Sequence, residues 1–187
     1  MTPCCSSYTI GEVTIRETLQ LGHPLLRAPT REMPVPLDPA AAALITDLDD
    51  TLADWQRRTG YGRGIAAPQI GAGVRLVHCR LEQPWTLVNP RITARAESTW
   101  EVWDGCLSFS LQFFCTVRRH TWIEVDYQSP DGRHHTVRAD GELGELLQHE
   151  IDHLDGYLAV DRMTDARSLC MRSEFELRHR DESPYRS

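Results

Sequence analysis

Two histidines and the glutamate between them carry the most specific chemistry in this chain, within Gln148-His149-Glu150-Ile151-Asp152-His153-Leu154-Asp155-Gly156. Four residues apart on a helix, His149 and His153 stand one above the other, with Cβ atoms roughly 5–6 Å apart, so both imidazoles can reach one cation. Glu150 is turned by about a quarter of a circle from His149, beside such a cation and not on it. A carboxylate held there can take a proton from a metal-bound water and pass it to a leaving amine, which is the logic of metal-assisted hydrolysis. The pattern is a zinc- or iron-type hydrolase signature.

A helix over residues 141–154 is expected to position these groups. Upstream, Asp38 is a natural N-cap with Pro39 at the first helical position, and Ala41, Leu44, Ile45, Leu48, Leu52 and Trp55 keep helical period until Gly60. The acidic side of that helix, with Asp47, Asp49, Asp50 and Asp54, reads as a solvated face. Residues 62–73 form a glycine-punctuated loop, and β-rich runs follow at 74–79, 85–89, 91–102 and 116–128. Ser129-Pro130-Asp131-Gly132 is a tight-turn signal joining the last run to a strand over 133–138. Beyond residue 161 the chain is polar, with a short helix expected near 166–178. The expected fold is α+β, with antiparallel β-sheets packed around a central helix that bears the motif. One domain is expected over residues 1–187, its catalytic core spanning about 19–162 and its C-terminus a polar tail.

Composition narrows the partners. With 187 residues, 41% hydrophobic and 25% charged, the chain is ordinary globular material, and its net charge of -7 argues against a general nucleic-acid binder. The six cysteines (Cys4, Cys5, Cys79, Cys106, Cys115, Cys170) lack the spacing of a secreted disulfide framework. The N-terminal residues lack the apolar core of a signal peptide, and no run approaches the ~20 apolar residues of a membrane span. A reducing cytoplasm is the expected compartment, with no membrane partner. Cys4-Cys5 reads as incidental.

A catalytic zinc or iron site needs a third protein ligand and an open position. The extended metzincin continuation would place a histidine where Ala159 stands, and so fails. Glu174 and Glu176 are downstream candidates of the thermolysin kind. Cys106, in Trp103-Asp104-Gly105-Cys106-Leu107-Ser108, is the upstream one, and a thiolate with two imidazoles suits Zn or Fe(II).

Three ordered segments resemble the peptide deformylase family: a glycine-rich loop ending in Ala66-Ala67-Pro68-Gln69, the Gly105-Cys106-Leu107-Ser108 segment, and the Gln148-His149-Glu150-Ile151-Asp152-His153 helix. The likeness runs from about Leu19, through Gly22-His23-Pro24-Leu25-Leu26-Arg27, to about Asp161. It implies that Cys106, His149 and His153 bind one divalent metal, Fe(II) in the cell with Zn(II) or Ni(II) able to replace it. It implies Glu150 as the proton shuttle, and the Gln69 side chain with the Leu107 backbone N–H as oxyanion donors. Gly64 would let the backbone approach the substrate. The expected substrate is an N-formylmethionyl peptide, from ribosome-associated nascent chains, and the products are formate and a free amine.

Some positions depart from the family pattern. Asp104, expected at the substrate pocket together with Arg63, Gly64, Glu142 and Glu145, replaces the usual glutamate, so its hydrogen bonds must be drawn inward. Ser110 stands where proline is common, and residues 111–115 lack the usual arginine. Arg63, Glu145 and Glu142 occupy positions that are mostly apolar in the family and receive a methionine side chain. Arg63 pairing with Glu145 would leave formylmethionine acceptable. A pocket for a more polar N-formylated amine or metabolite is the alternative, and a non-catalytic binding protein is a further one.

Overall fold

The structure, a computed structural model, describes residues 14–183. Cys4 and Cys5 lie outside them. Helix α1 (Pro39–Thr59) has the predicted ends: Asp38 Oδ1 accepts the Ala41 N–H at 2.8 Å, Pro39 fills the first turn, and Gly60 closes the helix at φ 76°, where a Cβ would be strained. Leu48, Leu52 and Trp55 enter the core. Its acidic side is not simply solvated. Asp47 pairs with Arg16 at 2.7 Å, Asp50 accepts the Thr14 N–H at 2.9 Å, and Asp49 pairs with Arg80 and lies 3.0 Å from His78 Nε2. These carboxylates tie the N-terminal lead-in and one strand to the helix.

Five strands form one sheet in the order β1 (Gly64–Ala66), β2 (Leu76–Arg80), β3 (Pro84–Arg95), β6 (Trp122–Gln128) and β7 (His134–Asp140). A smaller sheet holds β4 (Thr99–Asp104), β5 (Phe113–His120) and β8 (Cys170–Met171), and all these pairings are antiparallel. The run expected as one strand over 116–128 is therefore two, which leave Thr121 for different sheets. The run at 91–102 likewise divides after Arg95. Conversely, the break expected at Asn89-Pro90 is absorbed as an irregularity within β3. Asn89 takes φ 52° there, and its carboxamide both accepts from Met33 N and donates to Met33 O at 2.8 Å.

Helix α2 (Gly141–Leu154) lies between the sheets. Leu146, Leu147, Ile151 and Leu154 pack with Val77, Leu87, Ile123 and Val125 from the large sheet. A Cβ at Gly144 would sit 2.9 Å from the Ala139 carbonyl oxygen, so glycine lets the helix start close against β7. No helix among the described residues is long and apolar enough to cross a membrane.

The expected polar tail is the main correction to the fold. Residues 170–171 pair with Phe113 and Phe114, and α3 (Arg172–Arg178) drops Phe175 into the core, where its ring stacks on Phe114 at 3.8 Å. Only one side of this short helix is apolar inward, since Leu177 is exposed, so the segment reads as polar in sequence. Phe175 is fully buried, and Phe175→Ala is expected to cost about 3–5 kcal/mol, read as a lower urea midpoint at unchanged slope. An unaltered midpoint would show that α3 contributes nothing to the core.

Candidate metal centre

The end of β4 and the inner face of α2 build the site. Asp104 closes β4, and a Cβ at Gly105 would lie 2.6 Å from a Phe114 ring carbon, so only glycine lets the chain turn Cys106 inward here. After the turn of Leu107–Phe109, Ser110 and Leu111 take φ 49° and 47°, which accounts for a non-proline residue at 110. Leu111 N–H returns to Cys106 O at 3.3 Å.

Cys106, His149 and His153 come together, all buried, with their donor atoms within 4.8 Å of one another. His149 Nε2 lies 3.2 Å from His153 Nε2, and Cys106 Sγ lies 3.3 Å from His153 Nε2. Tetrahedral ligation by two imidazoles and a thiolate requires N···N and S···N separations of about 3.3 and 3.6 Å. The two rings are nearly perpendicular at 75°, so their nitrogen lone pairs converge without stacking. The donor set therefore fits one divalent cation. The alternative ligands Glu174 and Glu176 lie on exposed faces of α3, ion-paired with Arg178 and Arg172.

Electrostatics agree with a cation here. Burial opposes charging His149, but the Asp104 carboxylate, 2.8 Å from its Nδ1, outweighs that and holds the ring well above the imidazole range. Burial and then the His149 charge push His153 well below it. One positive charge is thus favoured between two facing nitrogens, where a metal would replace the proton. Asp104 itself is held below the carboxylate range because His149 and Arg119 together outweigh its burial. Arg119 was not singled out in the sequence; it donates to Asp104 at 2.9 Å and to Asp152 at 2.5 Å. Gln148 clamps the end of β5, accepting from His120 N at 2.9 Å and donating to His120 O at 3.0 Å.

Glu150 lies beside the donors, 3% exposed, and its Oε2 has no hydrogen-bond partner among the described residues. Burial pushes this carboxyl up to about 7, with His149 opposing and Asp104 and Glu145 adding to the rise. A bound cation would pull it back down. Gly64 faces it: a Cβ there would lie 2.7 Å from Glu150 Oε1. Gln69 Oε1 accepts the Ala66 N–H at 2.8 Å, which turns its Nε2 toward Cys106 Sγ at 3.5 Å and Ser108 Oγ at 3.3 Å.

A narrow cavity of about 20 Å³ opens beside His149 and Glu150, bordered by Tyr61, Arg63, Gly64, Leu107, Leu111 and Glu145. Of the five expected pocket residues, Arg63, Gly64 and Glu145 line it. Asp104 does not: it is fully buried behind His149, spent on His149 and Arg119. Glu142 does not either. Helical period puts it on the His149 face, but the first turn of α2 projects into solvent, and only its backbone oxygen is used, accepting from Arg63 Nη1 at 3.2 Å. Arg63 forms an ion pair with the fully buried Glu145. Phe109 and Phe114 belong to the core, and Phe113 stacks on Phe109.

An α+β fold around a helix that presents a Cys-His-His triad, with a buried glutamate beside it, defines the class of a metal-dependent amide hydrolase. Residues 15–168 match the model of the polypeptide deformylase family, and the chain belongs to that family. It is 34% identical over 146 residues to the peptide deformylase of Chloroflexus aurantiacus, covering 67% of this chain and 73% of that protein. Identity to the peptide deformylase of a Roseiflexus species (strain RS-1) is 36% over 159 residues, covering 75% and 83%. Among solved structures, the Thermotoga maritima peptide deformylase superimposes with a TM-score of 0.75 at 28% identity, covering 81% of this chain and 99% of that one. The Synechococcus elongatus enzyme, in complex with actinonin, gives 0.76 at 28% identity, covering 95% and 92%.

Proposed function

We propose that this chain is a one-domain hydrolase that removes the formyl group from N-formylmethionyl peptides, including nascent chains at the ribosome, in the cytoplasm. The observation that carries this reading is the convergence of Cys106, His149 and His153 with Glu150 at their side. These three donors would hold one divalent cation, Fe(II) in the cell, with Zn(II) or Ni(II) able to occupy the same set. When bound, the metal supplies Lewis acidity that brings a water's pKa toward neutrality.

The chain's own groups do the rest. Glu150 accepts the water's proton at its unpartnered Oε2 and later delivers it to the departing amine nitrogen. Gln69, its carboxamide oriented by Ala66 N, donates from Nε2 to the developing oxyanion together with the Leu107 N–H. Asp104 holds His149 by Nδ1, so that Nε2 faces His153 Nε2 and would be free to ligate the cation. Gly64 leaves room for Glu150. In Gly64→Ala the carboxylate must move, and kcat is expected to fall on the order of 10²-fold with metal content unchanged. Wild-type turnover in that variant would mean that Glu150 needs no close packing.

The Arg63–Glu145 pair at the pocket wall neutralises its own charge, which supports a pocket open to methionine. One observation favours the more polar alternative: Glu145 Oε1 is buried without a hydrogen-bond partner among the described residues. Formate release from formyl-Met peptides, measured beside formylated polar amino acids, separates the two. A preference for formyl-Met is expected, and a large preference for the polar set would overturn it.

A further inference from the structure

A second cavity, of about 600 Å³, lies on the other side of α2, between the ends of β3 and β5. Gln148, Ile151, Asp152 and Asp155 present this face of the helix, while His149, Glu150 and His153 present the metal-centre face. Its size is within the ~300–1,000 Å³ of small-ligand sites. Every one of the chain's 20 basic residues is arginine, and six line this cavity: Arg75, Arg91, Arg95, Arg118, Arg119 and Arg162. Only two carboxylates, Asp152 and Asp155, line it with them. In a chain of net charge -7 this is a strong local reversal of sign.

Fixed and available arginines divide the work. Arg75 and Arg119 are 5% and 3% exposed, and are held by Asp155 and by Asp104 and Asp152. Arg162 shares Asp152 at 2.7 Å. At the rim, Arg91 pairs with Glu32 and Arg118 with Glu101, but all four side chains are more than half exposed, so these pairs are weak and exchangeable. Arg95 is exposed and makes no ion pair among the described residues. Guanidinium forks bind phosphate oxygens two at a time. His120 is the only aromatic side chain among the lining residues, so the stacking platform that single-stranded nucleic acid uses is missing.

We propose that this arginine-lined cavity is a binding site for a compact, multivalent phosphate anion, separate from the metal centre. It is tested by calorimetric titration of the metal-loaded full chain with cyclic trimetaphosphate, a compact trianion with little tendency to chelate, with metal content measured before and after. Saturable binding at one site is expected, weakened about tenfold or more in Arg91→Glu/Arg95→Glu and, independently, in Arg118→Glu, because each reverses charge at the rim. Arg178→Glu, outside the cavity, should bind as the wild type does. Absent binding, or binding of equal strength in the rim variants, would overturn the site. A single-stranded RNA that binds there and is not displaced by trimetaphosphate would overturn the compact-anion assignment.

Discussion

Glu150→Gln is expected to lower formate release from a formyl-Met peptide by about 10²–10⁴-fold, while the protein keeps one equivalent of metal. The substitution preserves shape and removes only the capacity to hold a proton. Glu150 is not among the three converging donors, so metal affinity should survive. Its position supports the role: 3% exposed, with Oε2 unpartnered among the described residues, and packed so closely on residue 64 that a Cβ there would lie 2.7 Å from its Oε1. Activity and metal content must be measured on the same preparation. Activity lost together with metal would make Glu150 a structural group, and activity retained with metal bound would place the proton shuttle elsewhere.

Cys106→Ser is expected to lose both stoichiometric metal and turnover. A hydroxyl is a far poorer donor than a thiolate for Zn(II) or Fe(II), and the two imidazoles alone leave the cation without its softest ligand. The loss in affinity should exceed the ~10–100-fold that accompanies removal of a ligand's hydrogen-bonding partner. Cys106 sits on a rigid turn, set by Gly105 against Phe114 and returned through Leu111 N–H, so the exchange should perturb the site without unfolding the chain. Competition against a chelator of known affinity reads the effect. Wild-type metal affinity in Cys106→Ser would remove the thiolate from the ligand set.

Local chemistry is legible in the sequence. The spacing of His149 and His153 is itself a geometric statement, and Asp38, Pro39 and Gly60 mark α1 by the hydrogen bonds that helix ends require. Long-range pairing is not. Arg119 meets Asp104 only because β5 folds back on β4 with Asp104 opposite Cys115, and it meets Asp152 only because α2 packs across that sheet. No spacing in the sequence encodes either contact. Glu142 failed for a related reason: periodicity gives the direction of a side chain but not where a helix leaves the protein. Phe175 was missed because a single apolar residue in a polar stretch carries no period, yet it is buried as fully as any residue in the core. The strand errors after Arg95 and at Thr121 share one cause, that β-propensity marks extended chain without saying which sheet will receive it.

Three donors and one glutamate are proposed to form a metal-dependent deformylase. The most direct test of this is formate release from a formyl-Met peptide by anaerobically purified protein, followed through chelation and stepwise return of Fe(II). Turnover is expected to vanish on chelation and to rise in proportion to bound metal, reaching its limit at one equivalent. Formate release that persists in metal-free protein, or fully loaded protein that releases none, would contradict it.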